Sequence, residues 1–218
     1  MGLLDRLTPR RPELEPSEPP SSRVEEPVFA TKALRKFLCT VSAKEAPILL
    51  DLAPVVGSNL NFFGDHLGCK VLVEDLYAEV ERHAREQRLG DLPAFLSTRF
   101  GQADASVDAV ICWDVLDYLD RAAAQAVADQ LTRVLKPDGA LLAFFGTVTP
   151  RDAHYTRYII VDDVSLKHRA YPASRGRQAT LANRDIIRLF ERLRVSDSFL
   201  LQNNLREILF RKPTYETR

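Results

Sequence analysis

The stretch VDAVICWDVLDYLDRAAAQAVADQLTRVLKPDGALLAFFGT, residues 107–147, decides the fold. Its first part, VDAVICW, is apolar but for Asp108, and its last, GALLAFFGT (139–147), is apolar throughout its centre. Between them a helix is predicted from about Arg121 to Leu135. Two strands without polar alternation, separated by a helix, are strands covered on both faces, and that pattern belongs to a parallel sheet.

Working outward, the same rhythm recurs toward the N-terminus. PILLDLA (47–53) and CKVLVED (69–75) read as strands, with helices from about Ser58 to Leu67 and from about Tyr77 to Arg88, and a weaker strand near Phe95 to Thr98. Ahead of them Phe29, Ala30, Ala33, Leu34, Phe37, Leu38 and Val41 recur at helical spacing, so an amphipathic helix is expected from Val28. Beyond Thr147 the pattern changes: YTRYIIV and VSLKHRA alternate around Asp162 and Asp163 and predict a β-hairpin insertion over about 150–180. A helix near Asn183 to Leu193 precedes RVSDSFLLQ and LREILFRK, which are joined at Asn203 and Asn204; that joint is too short for a parallel crossover, so the two strands are antiparallel. The expected fold is α/β: a Rossmann-like three-layer sandwich whose mostly parallel seven-stranded sheet ends in an antiparallel hairpin, with a β-hairpin insertion after the fifth strand.

The chain of 218 residues suits one domain with a core. Six prolines, at 9, 12, 16, 19, 20 and 27, mark residues 1–27 as a disordered proline-rich tail, with a protein partner as its possible target, and leave 28–218 as the domain. Lys plus Arg and Asp plus Glu both number 30, so no net field favours nucleic acid or an anionic membrane. Cys39, Cys69 and Cys112 lie apart in apolar runs and read as small buried hydrophobes. Neither a signal-peptide core nor a membrane-length apolar run is present in the sequence, and a cytoplasmic location is expected. His66, His83 and His154 lack metal-ligand spacing, so no metal is expected.

Three segments, LLDLAPVVG (49–57), VLVEDL (71–76) and SVDAVICWDVLDYLD with LTRVLKPDGALLAFF (106–120 and 131–145), carry a resemblance spanning roughly 47–211. In them the chain resembles the class I S-adenosylmethionine-dependent methyltransferases of the small-molecule type, and Lys136 to Gly139 match that family's turn between helix and strand. The resemblance implies S-adenosyl-L-methionine as cofactor. It places Asp75 at the ribose hydroxyls, with Glu74 one register away as competitor, and Asp51 at the turn and the cofactor's amino-acid end. Ala53, Val55 and Gly57 fall on the family's three glycine positions, while Cys112 and Trp113 fall among those lining the cofactor pocket. Tyr118 stands where many relatives carry histidine, and only Asp104 is on offer near the adenine.

Other roles for these residues stay open. Asp75 is equally placed to cap a helix, Asp51 to bond nearby backbone N–H groups, Trp113 to pack in the core, and Asp114 to act as substrate acceptor, as base, or as a cap of the helix that follows. Val55 cannot take a left-handed conformation cheaply and Pro54 lacks an N–H, so the turn must run differently from a glycine-rich one. Gly57 opens a helix that Ser58 or Asn59 is able to cap. Such a loop serves a phosphate poorly, whereas a cation held by acids and shape still fits. That composition, and the terminal hairpin, also disfavour a nicotinamide enzyme.

The insertion, with Tyr155, Arg157 and His168, is either a lid offering cations to a substrate or a solvated charged face, and SRGRQ (174–178) reads as a mobile loop. The function implied is methyl transfer to an unidentified small-molecule acceptor. The alternative is a non-catalytic member of the fold serving as a binding or regulatory module.

Overall fold

A computed structural model describes residues 26–178 and 180–214. Of the tail assigned to 1–27, only Glu26 and Pro27 are among them, and the reading of the rest lies outside the described residues. Among the described residues no helix is long and apolar enough to cross a membrane.

The elements run β1 (Val28–Ala30), α1 (Ala33–Ser42), β2 (Ile48–Asp51), α2 (Gly57–Asn61) continued by a wider π turn (Phe62–His66), β3 (Lys70–Val73), α3 (Leu76–Arg85), α4 (Leu92–Thr98), β4 (Val107–Trp113), α5 (Arg121–Val134), β5 (Leu135–Gly146), β6 (His154–Asp162), β7 (Ser165–Pro172), α6 (Asn183–Leu189), β8 (Arg194–Leu200) and β9 (Leu205–Arg211). The main sheet has the order β3-β2-β4-β5-β9-β8. Its first four strands are parallel, β9 is antiparallel to β5, and β8 is antiparallel to β9. Every residue from Ala140 to Gly146 is buried, so β5 is covered on both faces, as its unbroken apolar run requires. The turn into β5 depends on Gly139: a Cβ there would lie 2.7 Å from the Lys136 carbonyl oxygen and 2.7 Å from Leu135 Cδ1.

The sheet has six strands among the described residues, not seven. The expected strand near Phe95 to Thr98 is helix α4, which carries Pro93 in its first turn, where the missing N–H does no harm. Leu92 and Leu96, four apart, both bury, and the helical period therefore prevails over the short apolar run. The chain beyond α4 is pinned by Arg133, which donates to the carbonyls of Phe100 and Gln102. As a result β3 forms an edge of the sheet.

A second correction concerns the entry helix, which starts at Ala33 rather than Val28. Residues Val28–Ala30 pair with β7, and β1-β7-β6 form a separate three-stranded antiparallel sheet. Helix α1 is fixed at its start by Glu207 of β9, whose wholly buried carboxylate accepts from Lys32 N at 2.8 Å and Ala33 N at 2.7 Å. The tight β6–β7 turn is held by Asp162, which accepts from Val164 N and Ser165 Oγ.

Candidate functional site

Because β2, β3 and β4 are parallel neighbours, the residues at their C-terminal ends meet along one rim of the sheet. Asp51 ends β2, Asp75 follows β3, and Trp113 ends β4 with Asp114 after it. Asp51 is buried and accepts from Ala53 N at 3.0 Å and from Trp113 Nε1 at 2.7 Å. Burial pushes its carboxyl up to about 7, against the pull of those two hydrogen bonds. Trp113 has a φ of +49° and is wholly buried, and its indole bridges to Asp51 rather than merely filling the core.

Asp75 caps α3, accepting from Ala78 N at 3.0 Å. Its carboxyl is raised by burial, and the positive charge of Arg157 on β6 works the other way. Glu74, the competing acid, is engaged by Gln102 Nε2 at 2.9 Å and by Arg99 at 2.6 Å. Between Asp51 and α2 no residue has a positive φ, so the loop does run without the glycine conformations of a phosphate-binding turn. Gly57 is not sterically required, since a Cβ there would meet nothing within 4 Å. Ala53 is buried, and Val55 points outward with 59% exposure.

Neither Ser58 nor Asn59 caps α2. Asn59 is instead buried and clamps β6 with both ends of its amide: Nδ2 donates to Tyr158 O at 2.8 Å, and Oδ1 accepts from Ile160 N at 2.9 Å. That clamp brings the β6–β7 hairpin over the rim. The Tyr158 ring stacks on Trp113 with centroids 5.2 Å apart and planes 2° from parallel. From α3, the Tyr77 hydroxyl donates to Asp114, spanning from the β3 end to the β4 end. Asp114 is wholly buried and also holds Arg177, whose Nη2 lies 2.5 Å from Asp114 Oδ2.

The remaining sequence-derived candidates divide. Tyr155 lies between the rings of Tyr77 and Tyr171, at 5.5 and 5.4 Å. Arg157 sits over the Tyr171 ring at 4.4 Å. His168 packs between Phe29 and Tyr158, and burial lowers its pKa to about 4, so it is a neutral packing group rather than a cation facing a substrate. Cys112 is wholly buried, and burial pushes its thiol up. Asp114 caps no helix; Asp120 caps α5 instead. Asp104 pairs with Arg133.

Four residues with the largest part in the rim, Asn59, Tyr77, Asp117 and Arg177, were not assigned this part in the sequence. Asp117 is buried, accepts from Gly146 N at 2.6 Å, and is pushed up to about 8, first by burial and then by Asp114. The SRGRQ segment is pinned rather than loose: Ser174 N donates to Glu81 at 2.9 Å, Arg175 Nε to Tyr118 O at 3.2 Å, and Gln178 N to Asp117 O at 2.8 Å. The one sequence signal for it is Gly146, where a Cβ would overlap Arg177 Nη1.

Residues 50–143 match the family model described as a methyltransferase domain. No curated protein matches the sequence. Among solved structures, a SAM-dependent methyltransferase from Aquifex aeolicus shares 16% identity over 82% of this chain and 88% of that one, with a TM-score of 0.50. The [4+2]-cyclase SpnF shares 12% identity over 83% of this chain and 82% of its own, with a TM-score of 0.50. A 1,6-didemethyltoxoflavin-N1-methyltransferase from Burkholderia thailandensis, solved with 1,6-didemethyltoxoflavin and S-adenosylhomocysteine, shares 16% identity over 83% and 78%, with a TM-score of 0.48. Residues 50–143, less than half of the chain, are thus similar to a methyltransferase domain, and the solved structures share its fold.

Proposed function

We propose that this chain is an S-adenosylmethionine-dependent methyltransferase acting on a small molecule, described here with its cofactor crevice closed by the β6–β7 hairpin. The observation that carries the reading is the pair of carboxylates, Asp51 and Asp75, at the tips of neighbouring parallel strands inside the matched segment. Their chemistry fits the cofactor: ribose hydroxyls donate, an ammonium and a sulfonium are cationic, and no phosphate needs a nest of N–H groups. Asp75 would hold the ribose and Asp51 the amino-acid end. When bound, the cofactor supplies a methyl group on a sulfonium for in-line displacement, a reaction that rests on positioning and exclusion of water.

The room for it is taken. Trp113, Tyr158 and Tyr77 span the rim with ring contacts and hydrogen bonds, so the group fits these residues by charge and enters only when Tyr158 leaves the indole. That same closure favours a second reading, a non-catalytic module in which the chain's own aromatic side chains permanently fill the crevice.

Calorimetric titration with S-adenosylmethionine and S-adenosylhomocysteine separates the two. Under the first reading wild type or Tyr158→Ala binds in the micromolar range, and Asp75→Asn, which keeps an acceptor for the α3 cap, weakens binding at least tenfold. Silence of wild type and Tyr158→Ala toward both ligands, with each protein folded, leaves the second.

A further inference from the structure

We infer that the chamber over Gly146, at the C-terminal ends of β4 and β5, is a binding site for an external organic cation, an amine or a guanidine, and that Arg177 occupies it as an internal stand-in. This names the acceptor class for the methyl-transfer reading and rests on that reading only in making the cation an acceptor.

Arg177 reaches the chamber from residues 173–178, a segment without helix or strand between β7 and α6. Its side chain is 11% exposed and lies directly against the Gly146 backbone, a surface that admits a flat group because no Cβ stands there. Two buried acid side chains, Asp114 and Asp117, face this single guanidinium, so the chamber offers more acceptor oxygens than Arg177 engages. Tyr77, Tyr118 and Tyr158 bring aromatic rings to the same place, and an acid floor with aromatic walls is the environment that recognises organic cations.

Arg177 fills this chamber incompletely. Its Nε is 3.6 Å from Asp117 Oδ2, beyond a hydrogen bond. Among the described residues Arg177 Nε and Asp117 Oδ1 have no hydrogen-bond partner, and the Tyr118 hydroxyl lies beside the guanidinium without a well-directed bond. Asp117 and Tyr118 are both at least nine-tenths buried. Buried polar atoms left unpaired are unfavourable, and three in one chamber mark a site shaped for a differently disposed donor set. The backbone on either side is held at Ser174 and Gln178, so the side chain alone has to swing out.

The test uses the full chain and no cofactor. Wild type is treated with phenylglyoxal, which modifies accessible guanidinium groups, in the presence of propylammonium or of neutral 1-propanol, and adducts are mapped by mass spectrometry. Displacement predicts at least threefold more labelling at Arg177 with propylammonium, with the labelling of exposed Arg184 unchanged. In parallel, Arg177→Ala is titrated with ethylguanidinium and with its neutral isostere ethylurea; at least tenfold preference for the cation is expected. Equal labelling of Arg177 under both conditions, or equal affinity of a folded Arg177→Ala for both ligands, overturns the inference. If Arg177→Ala does not fold, the wild-type labelling decides alone. A chain that takes the cation yet ignores S-adenosylmethionine overturns the methyl-transfer reading and leaves this one standing.

Discussion

Asp51→Asn isolates the rim's electrostatics. The Asp51 carboxyl is shifted from 3.8 to about 7 in the fold, chiefly by burial. Between those two values the unfolded chain has released the proton and the folded chain retains it, so the folded state binds more protons and stability falls as pH rises. The full shift is worth on the order of 4 kcal/mol, of which roughly 2.5 kcal/mol develops between about pH 5 and about pH 8. Asparagine offers the same acceptor to Ala53 N and Trp113 Nε1 but has nothing to ionise. Thermal unfolding followed by circular dichroism across that range is expected to show the variant's midpoint falling less than the wild type's, by roughly 5–10 °C at ~2–4 °C per kcal/mol for a chain of this size. Parallel pH profiles for the two proteins would refute the claim that a desolvated, proton-holding Asp51 sits under Trp113.

Two further outcomes follow from the same structure. His168, lowered from 6.5 to about 4 by burial, resists protonation in the fold; the unfolded chain binds more protons between those values, so stability is lost as pH falls through them. His168→Phe, which keeps a ring against Phe29 and Tyr158, should flatten that acid limb by roughly 1–2 kcal/mol after allowance for partial exposure, read from urea midpoints at about pH 4.5 and about pH 7. Gly139→Ala should destabilise the chain by ~1–3 kcal/mol, because the new Cβ meets the fixed Lys136 carbonyl as well as Leu135; an unchanged urea midpoint would show that the turn yields freely.

What could be read in the sequence tracks how local each cause is. The β4–α5–β5 unit is written in unbroken apolar runs, and the β8–β9 pairing in the shortness of the joint at Asn203 and Asn204, so both could be deduced. Phe95 to Thr98 is a short apolar run of ambiguous period, and the helix there is decided by Pro93 and by the burial of Leu92 and Leu96. Val28–Ala30 has the apolar spacing of a helix but is recruited by the edge of β7, a partner more than a hundred residues away. In the rim, Asp51, Asp75, Trp113 and Asp114 announce themselves by standing at strand ends. Arg177 does not: the polar run around it looks solvated, and its buried place comes from Asp114, 63 residues earlier, with Asp117 beside it.

The glycine-poor loop after β2 and the β6–β7 hairpin have a common logic. The loop has no positive φ, so it lacks the left-handed residues with which a nest turns successive N–H groups toward an anion, and the amide of Asn59 just beyond it is spent on β6. The acids along the rim are therefore answered from within the chain: Asp51 by the Trp113 indole, Asp75 by the charge of Arg157, and Asp114 by Tyr77 and Arg177. Any ligand must replace those partners, and its affinity is the difference between its own bonds to the carboxylates and the internal ones it breaks. A neutral ligand that displaced Arg157 or Arg177 would leave Asp75 or Asp114 without its positive partner, which is unfavourable. A cation restores the balance that Arg157 and Arg177 hold in the closed form, so the closure that excludes solvent from the rim also selects the charge of whatever opens it.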